Sequence, residues 1–169
     1  AEWLVREAKR SRVAVVDFDV HHGNGTQHAF YRRGDVFFAS LHRFPFYPGS
    51  GAAEEKGEGE GLGSTLNVPL AAGADDDDHR RALGDRILPE IERFRPEFLL
   101  VSAGYDAHTC DPLGGMRMTT EGYRALMRML VEFAGAVCDG RMAVVLEGGY
   151  DLKALQASCE ASLEAMLDA

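Results

Sequence analysis

Several common signals are scarce in these 169 residues. Cysteine occurs only at Cys110, Cys138 and Cys159, an odd number with no CxxC pair. That argues against a disulfide framework and for a reduced, cytoplasmic protein. Basic residues are outnumbered, with Lys plus Arg at 18 against Asp plus Glu at 27 and a formal charge of −9. No basic excess exists to release counterions from a phosphate backbone, so direct nucleic-acid binding is not expected. The acidity suits a cationic or neutral substrate instead. The apolar runs are strand-length, well short of the roughly 20 residues that cross a bilayer, so no membrane partner is expected either.

What remains is a hydrophobic fraction of 46%, enough for a core. The length argues for one domain. Five short runs rich in Val, Leu and Phe read as buried strands: Arg12–Phe18, Val36–Leu41, Thr65–Pro69, Phe98–Ala103 and Met142–Glu147. Helical patterns lie beside them at residues 1–10, Gly25–Arg33, Asp76–Phe94, Thr120–Val137 and Asp151–Leu167, with Pro89 expected to kink the third or restart it. In the fourth, Thr119 or Thr120 caps a helix that turns Tyr123, Leu126, Met127, Leu130 and Ala134 to one side. In the last, Leu155, Cys159 or Leu163, and Met166 are expected to face inward. Alternating strands and helices predict a three-layer α/β/α fold with a mainly parallel sheet. Residues 42–64, rich in Gly and Glu, read as a long surface loop that is either functional or mobile.

The chemistry sits at strand ends. Val15-Val16-Asp17-Phe18-Asp19-Val20-His21 runs from an apolar strand into Asp-x-Asp-x-His. In extended chain, spacing two puts Asp17, Asp19 and His21 on one face. Carboxylates so close repel unless a cation compensates them, and carboxylate plus imidazole suits zinc or ferrous iron. The bland alternative is a polar cap on a strand. Two further strands end similarly, in Ala103-Gly104-Tyr105-Asp106 and in Glu147-Gly148-Gly149-Tyr150. Parallel strands put their C-terminal ends at one edge, where open α/β sheets bind ligands, so the three clusters are predicted neighbours.

Asp19, His21 and Asp106 then supply three metal ligands and leave a fourth position open, as in a catalytic site. Asp17 is better placed behind the ligands or on another cation. Tyr150 can donate to an oxygen that gains negative charge. Gly148 and Gly149 let backbone approach a ligand closely. A metal-activated water with such a donor describes hydrolysis of a carbonyl compound such as an amide.

At this point the chain resembles the histone deacetylase family of the arginase–deacetylase superfamily. The resemblance runs from Arg12 to about Ala157. It rests on Asp17-Phe-Asp-Val-His-His-Gly-Asn-Gly-Thr26, Ser40-Leu-His42, Asp111-Pro-Leu-Gly-Gly115 and Glu147-Gly-Gly-Tyr-Asp151. It implies zinc on Asp19, His21 and Asp106, with Tyr150 polarising the acetyl carbonyl. It implies a potassium ion near Asp17, Asp19, His21, Ser40 and Leu41. Asn24 and the Glu-Gly-Gly-Tyr form look like the class II and bacterial branch, with Asn24 beside Asp17 in the outer layer of the site. Tyr47 looks like a wall of the acetyl-lysine channel, with ordinary loop packing as the alternative. Leu113 stands where the polyamine-selective branch is expected to carry an acid, which favours acyl-lysine or a neutral acylated amine over a polyamine.

One departure is large. The family's general base is a pair of adjacent histidines upstream of the Asp-x-Asp-x-His strand, and no histidine precedes that strand here. The resemblance therefore implies that residues 1–169 are the C-terminal part of a single deacetylase domain, truncated at its N-terminus and inactive alone. An acetylpolyamine amidohydrolase, or a non-catalytic module that binds an acyl ligand or a partner, remains as an alternative. A half-sheet with a bare strand is also compatible with a homo-oligomer. Other enzyme classes fit poorly. A haloacid-dehalogenase-type phosphatase wants a lysine after a strand, and the only lysines are Lys9, Lys56 and Lys153. A dinuclear ureohydrolase wants a second carboxylate two residues from Asp106, where Gly104 and His108 stand.

Overall fold

The computed structural model describes residues 1–168. Five parallel strands form one sheet: β1 (Val13–Asp17), β2 (Val36–Arg43), β3 (Thr65–Leu70), β4 (Phe98–Ala103) and β5 (Met142–Leu146). Their order is β3-β2-β1-β4-β5. The chain enters at β1, builds outward through β2 and β3, then returns to the other side of β1 with β4. The strand order therefore reverses between β1 and β4, and ligands bind at such switch points in open α/β sheets.

Six helices flank the sheet: α1 (Glu2–Arg6), α2 (Asn24–Phe30), α3 (Asp76–Arg81), α4 (Leu88–Phe94), α5 (Thr120–Cys138) and α6 (Leu152–Leu167). One face carries the main core, where Val16, Ala39, Leu99 and Val101 meet Leu83, Ile87, Ile91, Leu126, Met127 and Leu130. On the other face α1 and α2 close a smaller cluster of Val15, Val36 and Phe38 against Val5 and Phe30. This second layer covers β1 and β2 and reaches β4 at Leu100. Val145 and Leu146 on β5 are 54% and 56% exposed, so β5 departs from the expectation of strands covered on both faces.

Local chemistry explains the helix ends. Asp75 caps α3 by accepting from the N–H groups of Asp77 and Asp78 at 3.1 and 3.2 Å, and Asp78 accepts from the Asp75 N–H in return. Thr119, rather than Thr120, caps α5 by accepting from Gly122. The expected helix over 76–94 is continuous but contains a π segment at Ala82–Ile87 just before Pro89. A proline lacks an N–H and crowds the carbonyl four residues back; the wider turn takes up both defects without a break. The first helix is five residues long instead of spanning 1–10.

On α6 the expected Leu155, Cys159 and Met166 pack against the core, with Cys159 rather than Leu163 taking the middle position. Ala154, Ser158, Ala161, Ser162 and Ala165 are buried, whereas Leu163 is 59% exposed. Small side chains let α6 lie close against α5, which turns the larger Leu163 outward. Strand β2 runs to Arg43, so the long connection begins at residue 44 and holds a 3-10 turn at Gly59–Gly61.

Candidate metal centre

Strand β1 stops at Asp17, and residues 18–21 leave the sheet in bends. Asp19 and His21 are therefore not aligned by strand pleating, as the spacing predicted. The Asp19 carboxylate draws the chain around itself, its Oδ1 accepting from the His21 N–H at 2.8 Å. The same oxygen lies 2.9 Å from His21 Nδ1, and Asp106 Oδ2 lies 3.1 Å from that nitrogen. Asp106 follows β4, the strand beside β1 across the switch point. The three side chains thus offer ligand atoms within 4.8 Å of one another.

The second oxygen of each carboxylate is held by backbone. Asp19 Oδ2 accepts from the Gly148 N–H at 2.9 Å, and Asp106 Oδ1 accepts from the Val20 N–H at 2.9 Å. Asp106 is fully buried, yet its Oδ2 has no hydrogen-bond partner. Burial first, then the charge of Asp19, lifts the Asp106 carboxyl to about 7. A buried carboxylate oxygen without a donor, beside a second carboxylate and an imidazole, is costly unless a cation meets it. Donors about 2.0–2.1 Å from a tetrahedral zinc stand roughly 3.3 Å apart, close to the separations here. The residues fit a zinc ion, and the same donor set admits ferrous iron.

Of the two glycines expected to allow close approach, Gly148 abuts the carboxylates, whereas Gly149 faces Leu155; Gly104 takes the second close position. A Cβ on Gly148 would stand 2.2 Å from Asp106 Oδ2, and one on Gly104 would stand 2.3 Å from Asp19 Oδ2. Asp17 stays outside the ligand group. It is buried, accepts from the Asp19 N–H at 3.1 Å, and pairs across the ladder with Ser40. Burial raises its carboxyl well above the usual range, and the charges of Asp19, Glu147 and Asp106 add to the rise.

Above the cluster lies a cleft of about 590 Å³, lined by Asp19, His21, Asn24, Tyr47, Gly148, Gly149 and Tyr150 among others. Three aromatic rings surround the His21 imidazole: Phe46 stacks on it at 5.3 Å, while Tyr47 and Tyr150 stand edge-on at 6.0 and 6.4 Å. Leu113 does not line this cleft; it is 52% exposed on the neighbouring 111–115 turn. Asn24 opens α2 at the rim, and no side-chain hydrogen bond joins it to the ligands among the described residues.

A model of the histone deacetylase domain matches residues 1–166. The chain belongs to the histone deacetylase family. It is 47% identical over 156 residues to Histone deacetylase 10, chloroplastic, of Oryza sativa subsp. japonica, covering 92% of this chain and 35% of that relative. It is likewise 47% identical over 142 residues to the Histone deacetylase-like amidohydrolase of Pseudomonas aeruginosa, covering 82% and 37%. The solved HDA15 HD domain superposes with a TM-score of 0.92 at 42% identity, covering 99% of this chain and 47% of that one. The chain therefore spans between a third and a half of these relatives.

The motifs did not disclose how the deacetylase fold fixes residues 44–64. His22 and His42 are buried with ring centroids 4.8 Å apart. His22 Nδ1 reaches Ser50 Oγ at 2.8 Å, and His42 Nε2 donates to the Gly51 carbonyl at 3.0 Å. Glu55 accepts from Gln27 and from the N–H groups of Gly51 and Ala52. Burial lowers the His42 imidazole to about 4. The loop expected to be functional or mobile stays at the surface, as expected, but is held to β2 and α2 by these contacts. Phe46 was also missed; its only signal was an aromatic residue beside Tyr47.

Proposed function

We propose that this protein is a zinc-dependent amide hydrolase that removes an acetyl or other acyl group from acetyl-lysine or a related acylated amine. The observation that carries the reading is the convergence of Asp19 Oδ1, His21 Nδ1 and the partnerless Asp106 Oδ2 beneath a cleft that Tyr150 overlooks. Asp19, His21 and Asp106 would hold the zinc, which supplies Lewis acidity to polarise a carbonyl and to make water a nucleophile.

The chain's own residues supply the rest. The Tyr150 phenol is raised, first by desolvation and then by the carboxylates of Asp106, Asp19 and Asp111. It therefore keeps its proton at neutral pH and donates it as a hydrogen bond to the substrate carbonyl oxygen, a bond that strengthens as charge develops there. Phe46, Tyr47 and Tyr150 give an aliphatic lysine stem apolar surface on several sides. Asp17 and its ladder partner Ser40, with carbonyls from Asp19, His21 and Leu41, would hold a potassium ion that offsets the surplus charge of Asp17.

Five of the six histidines are engaged elsewhere, and His28 lies on α2 outside the cleft. His21 is a ligand; His22 and His42 hold the 44–64 loop; His79 donates to the Asp75 carbonyl; His108 accepts from the Cys110 N–H; His28 is exposed on α2. On this reading the 169-residue chain offers no histidine of its own as general base. The same observation favours a second reading, binding of an acylated ligand without turnover.

Hydrolysis of an acetyl-lysine peptide by the complete gene product, measured beside the 169-residue chain, separates the two. Turnover by the complete protein supports the hydrolase; binding without turnover in both supports the module. In the active protein, Tyr150→Phe retains zinc and loses about 10²–10³-fold in kcat, the usual cost of one oxyanion donor. Full activity would remove the phenol's role.

A further inference from the structure

Asp111 of the Asp111-Pro-Leu-Gly-Gly115 motif enters the chemistry above only through its charge, yet it is 8% exposed and spends both oxygens on backbone donors from two separate loops. Oδ1 accepts from the Leu113 N–H at 2.8 Å and the Gly114 N–H at 3.1 Å. These are local turn bonds. Oδ2 accepts from the Tyr150 N–H at 2.7 Å, across 39 residues of sequence. No basic side chain forms an ion pair with Asp111 among the described residues. A buried carboxylate without a cation is sustained by its N–H donors, and charge-assisted bonds of this length are the strong ones.

We infer that Asp111 is the positioning residue for Tyr150, a carboxylate strut that fixes the backbone of the phenol-bearing residue relative to the metal ligands. Three features make the strut rigid at its base. A Cβ on Gly114 would stand 1.8 Å from the Asp106 carbonyl oxygen, so the turn is pressed directly on a ligand residue. Arg43 Nη1 donates to the Gly114 carbonyl at 3.1 Å, and the same guanidinium covers the Phe46 ring at 4.2 Å, the ring that stacks on His21. On the far side of Tyr150, Asp151 caps α6 by accepting from the Ala154 N–H at 2.8 Å. The Tyr150 backbone is thus tied to the 111–115 turn through its amide and to α6 through the next residue. Its side chain, 51% exposed, has no such tie of its own. The position of the phenol over the cleft is inherited from the backbone, and Asp111 sets that backbone.

The inference rests on the role proposed for Tyr150, and the test separates the two. Asp111→Asn keeps a carbonyl for Leu113 and Gly114 but turns an NH₂ group toward the Tyr150 N–H. In the complete, zinc-loaded protein, kcat falls by about 10- to 100-fold with KM nearly unchanged, the scale on which a misplacement of about 1 Å acts. In a Tyr150→Phe background the same substitution changes kcat less than about twofold, because the group it positions is already gone. A merely structural role would multiply the two losses.

A readout independent of turnover is amide hydrogen exchange in the folded chain. Asp111→Asn speeds exchange at Tyr150 by about tenfold or more, while the amides of α5 keep their protection. Unchanged exchange at Tyr150, or unchanged kcat in an enzyme that Tyr150→Phe disables, would overturn the inference. Full activity of Tyr150→Phe would instead overturn the role of the phenol.

Discussion

Gly148→Ala puts the proposed metal site under a defined strain. The new Cβ would stand 2.2 Å from Asp106 Oδ2 and 2.7 Å from Asp19 Oδ2, more than 1 Å inside the 3.4 Å at which ordinary contact begins for the first of them. Neither oxygen can yield freely. The partner oxygen of Asp106 is tied to the Val20 N–H, and Asp19 Oδ2 is itself the acceptor of the Gly148 N–H. Relief must come from the 146–149 backbone moving away, which stretches the Gly148–Asp19 bond. A hydrogen bond to a charged group is worth about 1.5–3 kcal/mol. Every 1.4 kcal/mol is roughly tenfold in an equilibrium constant. Zinc binding is therefore expected to weaken about 10- to 100-fold, the range seen when outer partners of metal ligands are lost. Competition with a chromophoric chelator measures this directly. Gly135→Ala is the control, since a Cβ there meets nothing within 4 Å. A Gly148→Ala protein that holds zinc within about twofold of the wild type would refute the reasoning.

Two further expectations concern pH and the pinned loop. Because the Asp106 carboxyl lies near about 7 without metal, zinc must displace its proton, and zinc affinity should rise with pH up to about neutrality. Stability of the metal-free protein carries the opposite sign. The folded state holds a proton that an unfolded carboxyl, at about 3.9, has released, so this contribution is complete below that value and is lost as pH rises toward 7. Asp106→Asn cannot titrate; melting curves in chelator that stay parallel between wild type and this variant from pH 4 to 7 would contradict the assignment. Glu55→Ala strands the N–H groups of Gly51 and Ala52 and the Gln27 amide. It should cost about 1–3 kcal/mol and expose residues 44–64 to limited proteolysis, and an unchanged cleavage rate would show that the loop is held otherwise.

The sequence disclosed what depends on strand ends and little of what depends on long-range polar contacts. Strand cores such as Val13–Asp17 and Phe98–Ala103 were readable because apolar runs of that length have few other uses. The neighbourhood of Asp19, His21 and Asp106 followed from parallel pairing alone, and β1 and β4 are indeed adjacent. The reason given for Asp17 joining them was incomplete: the chain leaves the sheet after Asp17, and its carboxylate turns to the Asp19 amide instead. On α6 the apolar spacing pointed to Leu155, Cys159 and Met166, which pack on the core, but not to the fully buried alanines and serines that close helix packing selects. The buried pair His22 and His42 and the strut at Asp111 were invisible, since their partners lie 9 to 39 residues away and no periodicity marks them.

The central claim is that Asp19, His21 and Asp106 together hold one metal ion. Equilibrium dialysis against zinc, followed by elemental analysis, tests it most directly. The account predicts one zinc per wild-type chain and none retained by Asp106→Ala, with the α5 core still folded. Equal zinc in both proteins would contradict it.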